Sequence, residues 1–530
     1  MVTENHSEHS SFWWNEEIRR PNSMKTARPN AAKDSYKQLR CFSWEQLWVE
    51  HVPAFNGATP PSEARNAGLV RAVGVVFSES GRRSQKDEVA AWLRSLLQDP
   101  DEKIRRYAMA ALPKIGAESA DEEALINLLR KANPPEREKK FLARALDKIG
   151  GKATLEIADE LPGQTALKVK ASVAREESPS EIRVDQVVDV FSGLRIHLRG
   201  RRGLEGFVRK ELESTMPARR LFRVGSSQPG LVEIAPLGPF RLSDLLTLRC
   251  FGTLGFVLGA IPKPDSAEIA SLITAPPARA LLQKLTKGAI RYRLEFPSLG
   301  HQRGLVRDIA NRAYALCPDL LNDARSAPWA VEIHPHRGRF TVELRPRFSP
   351  DPRFAYRRLD VPAASHPPLA ACMARLAGNS GHDVVWDPFC GSGLELIERG
   401  FLGGVRKLLG SDRSAAAINV AECNLAASGL RMASEFFHGD FRNTNLAPSS
   451  ISQIISNPPM GRRVPIPDLE GLIHDLFDIA ARVLQPGGVL VFANPLSSRP
   501  SDARLKLDTT QRIDLGGFDV HLEKFIKTNR

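Results

Sequence analysis

The residues best equipped for chemistry form four short groups in the last third of the chain. Val384 opens the run VVWDPFCGSGLELIERG, which reads as an apolar strand, an acid, a glycine-rich turn and a helix. Gly391 and Gly393 let backbone amides approach a ligand closely at the head of a parallel strand, and Asp387 at the strand end can hold a polar group. The turn is shorter than the GxGxxG dinucleotide fingerprint and lacks the GxxxxGK(S/T) of a phosphate loop, so neither a nicotinamide dinucleotide nor a nucleoside triphosphate is the natural ligand. Twenty-five residues after Asp387, the run LLGSD ends in Asp412, placed to receive ribose hydroxyls. A third run from Glu435 closes in HGDF with Asp440, and a fourth from Ile451 closes in SNPPMG with Asn457, Pro458, Pro459 and Met460.

The Asn-Pro-Pro group carries the sharpest expectation. Its prolines fix the backbone, so the Asn457 side-chain oxygen and the Pro458 carbonyl can be aimed at an exocyclic NH2, accepting its hydrogens and favouring the lone-pair geometry that attacks a methyl group. The same oxygens stabilise the positive charge that develops on nitrogen. Neither a covalent intermediate nor a metal is needed, and no metal ligands stand in a plausible pattern. Asn-Pro-Pro alone is a common strand-ending turn; its place after the glycine loop is what gives it meaning. Cys390 reads as a small apolar filler rather than a reactive thiol. His438 reads as structural and His382 as a surface residue, since amine methylation needs no strong base before the attack.

These groups need a frame. The succession of strands and helices, continued by QPGGVLVF as a fifth strand, predicts a parallel sheet with its ligand at the carboxyl ends of the strands. DPFCGSG, GSD, GD and NPPMG, in that order, resemble the class I S-adenosylmethionine-dependent methyltransferases of the amino-methylating type. The resemblance implies S-adenosylmethionine as cofactor. It assigns Asp387, Cys390, Gly391 and Gly393 to the methionine-side loop, with Glu398 a helix glutamate of that motif, Asp412 to the ribose and Asp440 to the adenine, and counts Phe389 and Arg413 among the cofactor contacts. Asn457, Pro458, Pro459 and Met460 match the catalytic tetrapeptide, with Asn457 also facing the cofactor. The family usually ends that tetrapeptide in an aromatic residue on which the target base stacks; here Met460 offers a polarizable contact, and Arg462 or Arg463 can cover a base with a guanidinium plane. Leu394 stands where the family commonly has threonine.

Upstream, Arg195–Leu198, Leu231–Ile234, Tyr292–Phe296 and Ala330–Ile333 read as short strands, and Leu204–Ser214 and Leu242–Leu258 as helices, giving an α+β domain. The chain carries 74 Lys and Arg against 61 acids, a net charge of +13, which favours a polyanionic partner. Arg195–Arg223 holds nine basic residues against three acids, and His336–Arg358 holds seven arginines against two acids. Arg199, Arg201, Arg202, Arg357 and Arg358 are the expected phosphate contacts. GLEGFVRKELE from Gly203, TLRCFGTLGFVLG from Thr247, RYRLEF from Arg291 and LLNDARSAPWAVEI from Leu320 resemble the THUMP RNA-binding domain. FAYRR from Phe354 and DVPAASHPPLAACMARLAG from Asp360 resemble the segment joining THUMP to catalytic domain in RNA methyltransferases. Together these imply methylation of a guanosine exocyclic amine in tRNA, or in rRNA for a minority. The catalytic motif is shared with DNA amino-methyltransferases, and a non-catalytic RNA-binding scaffold with a decayed pocket is a third reading. The THUMP-like segment speaks against the former, and the retention of Asp387, Asp412, Asp440 and Asn457 against the latter.

Nearer the amino terminus, LLQDPDEKIRRYAMAALPKIG and LLRKANPPEREKKFLARALDKIG superimpose at an offset of 34 residues, as Pro100 and Pro134 or Gly116 and Gly150 show. A helix pair of this length buries its apolar stripe only by stacking on a neighbour, and the pattern resembles HEAT-like repeats, a binding surface for a possible protein partner. The expected organisation is therefore multidomain: a mobile tail over 1–40, an α-helical HEAT-like region over 41–167, a linker over 168–189, an α+β THUMP-like domain over 190–350 and an α/β Rossmann-like methyltransferase domain over 351–530. No apolar run is long enough to span a bilayer, and the first twenty residues lack the apolar core of a secretory signal. The six cysteines are scattered without a CxxC pair, which excludes a disulfide framework and fits a cytoplasmic location.

Overall fold

The computed structural model describes residues 36–58, 65–81, 83–116, 118–132, 134–300, 302–362, 364–461 and 466–528. Most of the expected tail, with Trp13 and Trp14, lies outside the described residues. So do Arg462 and Arg463. The chain divides into two units, Met1–Glu177 and Ser178–Arg530. No described helix is long and apolar enough to cross a membrane.

The first unit is helical. The two sequence-related segments form helices Glu102–Ile115 and Glu136–Ile149, displaced by the expected 34 residues, and Leu112, Leu146, Ala111 and Ala145 are all buried. Each helix hides one apolar stripe against its neighbours in a single core that also takes in Trp44, Val73 and Leu93. Buried carboxylates are matched across the stack: Arg105 pairs with Glu138, and Arg94 with Asp121 at 2.6 Å. The expected linker is a correction. Residues 168–177 complete helix Gly163–Glu177, because Val169 and Val173, four apart, supply a buried stripe among the polar residues.

The second unit holds two large sheets. Ten strands belong to its first part: β1 Ser180–Ile182, β2 Ile196–Arg199, β3 Phe222–Gln228, β4 Leu231–Pro236, β5 Thr253–Ile261, β6 Thr286–Gly288, β7 Ile290–Glu295, β8 Leu320–Asn322, β9 Trp329–His336 and β10 Arg339–Pro346. Eight of them form one mixed sheet in the order β3-β4-β2-β5-β10-β9-β7-β8, while β1 pairs with β6. The helix expected over Leu242–Leu258 is also corrected: only Leu242–Leu245 is helical, and Thr253–Ile261 is a central strand between β2 and β10. Alternation does not reveal this strand, since its burial runs through Leu254, Gly255 and Phe256 together; Gly255 sits so close to Glu343 that a Cβ would lie 2.7 Å from Oε2.

Seven strands form the second sheet: β11 Asp383–Asp387, β12 Val405–Asp412, β13 Ala433–His438, β14 Ile451–Ser456, β15 Leu484–Asn494, β16 Leu505–Asp514 and β17 Asp519–Lys527. Their order is β13-β12-β11-β14-β15-β17-β16. The first five run parallel, as expected, and β17 enters antiparallel beside β15. The order reverses between β11 and β14, which opens the crevice where open α/β sheets take their ligands. Both faces are covered, one by helix Leu469–Val483 and a core around Trp386 and Phe492, the other by a core continuous with the mixed sheet. Arg353 fastens the two parts of this unit by donating to the carbonyls of Phe251 at 2.8 Å and Gly252 at 2.6 Å.

Candidate active site

The reversal point brings two side chains together. β11 ends in Asp387, fully buried, and β14 ends in Ser456, whose hydroxyl donates to Asp387 Oδ1 at 2.6 Å. The Phe389 amide donates to the same oxygen at 3.0 Å, while Oδ2 is buried with no partner among the described residues. Burial pushes the Asp387 carboxyl well above the ordinary carboxylate range, and neighbouring Glu395 and Asp412 add to the rise against the pull of Ser456 and the Phe389 amide.

The glycine loop leads from β11 into helix Leu394–Phe401. Gly391 and Gly393 have φ of +50° and +79°, the left-handed region that glycine occupies without penalty. A Cβ on Gly393 would also stand 3.2 Å from Ala421 Cβ. Asp412, at the end of β12, holds this loop: its Oδ2 accepts from the Gly391 amide at 3.0 Å and its Oδ1 from the Ser414 amide at 2.9 Å. A carboxylate has about four acceptor positions, so two remain for hydroxyl groups. Cys390 is buried, and burial with the nearby carboxylates raises its thiol pKa, as befits a filler and not a nucleophile.

Asn457 follows β14 directly. Its Nδ2 donates to Ser365 Oγ at 2.8 Å, and its Oδ1 is buried with no partner among the described residues. Ser365 in turn donates to Glu395. Pro458 is buried, and Pro459 and Met460 are half-buried, Met460 packing on the core. Two acceptor oxygens, Asp387 Oδ2 and Asn457 Oδ1, thus stand unpaired at the carboxyl ends of neighbouring strands. Buried polar atoms are rarely left so, and the arrangement calls for ligand N–H donors or a positive charge.

The remaining expected residues divide. Asp440 caps a short turn, accepting from the Arg442 amide at 3.0 Å and pairing with its guanidinium at 3.1 Å. The Phe389 and Phe441 rings meet at 4.8 Å, and the Arg413 carbonyl accepts from His438 Nε2 at 3.2 Å. Glu398 is buried and already partnered. It lies nearly a turn beyond Glu395 and receives both arms of Arg249, at 2.6 and 2.8 Å, and the Tyr356 hydroxyl at 2.6 Å. Several expected phosphate contacts are engaged within the protein. Arg199 pairs with buried Glu343, Arg201 donates to the Asp514 carbonyl at 3.4 Å, Arg202 pairs with Asp519 at 3.0 Å, and Arg357 pairs with Asp360 at 2.5 Å. Arg358 is exposed.

The sequence reading passed over Ser365, Glu395 and Ser456. Glu395 had a signal, an acid beside the glycine loop inside an otherwise apolar helix start. Ser365 had none, being 92 residues from its partner. Glu332, His334 and Glu343 also come within 4.8 Å of one another. Arg345 pairs with Glu332 at 2.6 Å, and Arg199 with Glu343, so arginines already match this negative charge.

Residues 355–514 match the model of the RMKL-like methyltransferase domain. A Methanothermococcus thermolithotrophicus protein named "Probable tRNA (guanine(10)-N2)-dimethyltransferase" is 34% identical over 145 residues, 26% of this chain and 85% of that protein. This chain belongs to the RMKL-like methyltransferase family. Another relative, the Bos taurus U6 snRNA (guanine-N(2))-methyltransferase THUMPD2, is 32% identical over 124 residues, 23% of this chain; the match spans only 24% of that protein's length. The crystal structure of TrmN from Thermus thermophilus aligns with a TM-score of 0.52 at 20% identity over 63% of this chain and 99% of that one. Residues 351–530 alone cannot supply so large a share, so the likeness of fold reaches upstream of the RMKL-like domain.

Proposed function

We propose that this methyltransferase carries a methyl group from S-adenosylmethionine to the exocyclic amine of a guanosine in RNA, with tRNA as the RNA class. The observation that carries the reading is Asn457 Oδ1, a buried acceptor left unpaired on a proline-fixed loop beside the glycine turn. The names of the two relatives above both point to guanine N2, one in tRNA and one in U6 snRNA.

The residues fit the methyl donor. The Gly391–Gly393 turn admits close approach, Asp412 has acceptor positions for ribose hydroxyls, and Asp387 Oδ2 can take an ammonium N–H. The donor supplies an electrophilic methyl on a sulfonium. Asn457 Oδ1 and the Pro458 carbonyl accept the hydrogens of the guanine amine and point its lone pair at that methyl. A carbon–nitrogen bond forms as the carbon–sulfur bond breaks, its electron pair leaving on sulfur, and the methylated nitrogen sheds a proton to solvent. The two oxygens stabilise the positive charge on nitrogen meanwhile. A base within a helix must first be flipped out. Residues 190–350, read as a THUMP-like domain, hold the RNA by backbone and shape, and binding weakens with salt.

Transfer of labelled methyl to total tRNA, rRNA and DNA, wild type beside Asn457→Ala, followed by nucleoside analysis, tests this. Label in guanosine of tRNA that is lost in the variant is the expected result. Label in DNA adenine or cytosine overturns the RNA assignment, and binding of the donor with no transfer to any of the three overturns the catalytic one.

A further inference from the structure

Ser365 is far from Asn457 in the chain, yet its buried hydroxyl sits at the centre of three residues joined by two hydrogen bonds. Asn457 Nδ2 donates to Ser365 Oγ at 2.8 Å, and Ser365 donates its own proton to Glu395. Glu395 is buried at the second position of the helix that leaves the glycine loop. From this geometry we infer that Ser365 and Glu395 are positioning residues for methyl transfer, holding the Asn457 amide with its nitrogen toward the protein and its oxygen toward the amine to be methylated. The inference rests on the amine-methylating reading and adds to it the device that sets the polarity of the acceptor.

A carboxamide turned by half a rotation keeps its shape and exchanges an acceptor for donors. In the wrong orientation Asn457 would present N–H groups to the N–H groups of the substrate, and nothing would draw the lone pair forward. The series removes that freedom. A serine hydroxyl has one proton; given to ionised Glu395, which only accepts and whose pKa, raised by burial, is pulled back by this bond and by a backbone hydrogen bond, it leaves the oxygen able only to receive, and Asn457 can then supply a hydrogen only from Nδ2. Ser365 is itself held in place, because Pro367 and Pro368 open helix Pro367–Ala377 two residues on and fix the backbone there. Asn457 Oδ1 takes no hydrogen bond from the described residues, which leaves it for the substrate.

The test uses the full chain and an RNA substrate. Ser365→Ala lowers kcat by about tenfold to a hundredfold, the scale of a small misplacement at a reacting centre, with KM for RNA and affinity for S-adenosylmethionine unchanged. Ser365→Thr, which keeps the hydroxyl, restores most of the rate. Glu395→Gln falls between, since a neutral amide can donate to Ser365 and reverse the series. Wild-type kcat in Ser365→Ala, or a loss that follows cofactor affinity, overturns the inference. If the wild type itself methylates no RNA, the functional reading fails and a second measurement still decides this one. In protein labelled with 15N-asparagine, the Asn457 side-chain NH2, assigned by its disappearance in Asn457→Asp, exchanges slowly with water in the wild type and quickly in Ser365→Ala. Equal rates in the two proteins refute the arrangement.

Discussion

Arg249 and Glu398 meet through two parallel hydrogen bonds, at 2.6 and 2.8 Å, across 149 residues of chain. The Phe401 ring lies 4.4 Å and the Phe354 ring 5.1 Å from the guanidinium carbon. This fork ties the eight-stranded sheet's domain to the helix that begins at the glycine loop, and it occupies a glutamate that the family resemblance assigns to the cofactor. Breaking one partner of such a buried pair strands the other. Glu398→Gln is expected to destabilise the protein by about 3–5 kcal/mol, read as a lower midpoint of denaturant unfolding, with cofactor affinity of the native protein little changed. Weaker cofactor binding at unchanged stability would return Glu398 to the cofactor.

Gly393 is the second point of test. Its φ of +79° strains any side chain, and a Cβ there would crowd Ala421 at 3.2 Å. Gly393→Ala is expected to cost about 1–2 kcal/mol from the left-handed backbone alone and to weaken S-adenosylmethionine binding, measured by calorimetry. A variant that binds as tightly as wild type would show that the loop relaxes without harm.

Binding of the cationic donor should release protons. The free Asp387 carboxyl is raised above the ordinary range by burial first and by Glu395 and Asp412 next, so part of it is protonated where an exposed carboxyl is ionised. A positive ligand favours the carboxylate and lowers that pKa, hence affinity climbs with pH until the raised pKa is passed, then levels. Calorimetry in buffers of different ionisation enthalpy reads the released protons. Asp387→Asn should abolish the release, and an unchanged proton count in that variant would assign it elsewhere.

Asp412 and Asn457 should separate binding from chemistry. Asp412→Ala removes two charge-assisted acceptors from the loop and is expected to weaken cofactor binding by about tenfold to a hundredfold, the equivalent of one such bond. Asn457→Ala should leave that affinity intact and reduce kcat by a hundredfold or more, the scale seen when one group aimed at transition-state charge is removed. Isothermal titration beside single-turnover transfer distinguishes the two, and the reverse pattern would exchange their roles.

Much of the catalytic sheet was legible because its signals are local. Strand ends, glycine turns and the proline pair act through the backbone of a few adjacent residues, so Asp387, Gly391, Gly393, Asp412 and Asn457 fall at strand ends, in the loop and at the crevice as expected. The 34-residue offset was equally readable, since each helix carries its own apolar stripe. The charge runs did not disclose their partners within the protein. Arg199 and Arg202 belong to basic runs, yet they pair with Glu343 and Asp519, acids that stand far from them in sequence.

The sequence by itself determined which groups the crevice could contain, their order, and the parallel sheet that must present them, because these follow from residue type and short-range periodicity. The tertiary structure alone decided their partners. Residues 253–261 became a strand because β2 and β10 offer pairing on both edges, which outweighs a local pattern readable as helix. Glu398 went to Arg249, and Glu395 to Ser365, because the direction of a helix in a packed unit selects which of two acids three residues apart meets which distant segment. A hydrogen bond across 92 residues has no trace in local spacing; it exists only once folding has closed the loop between its ends.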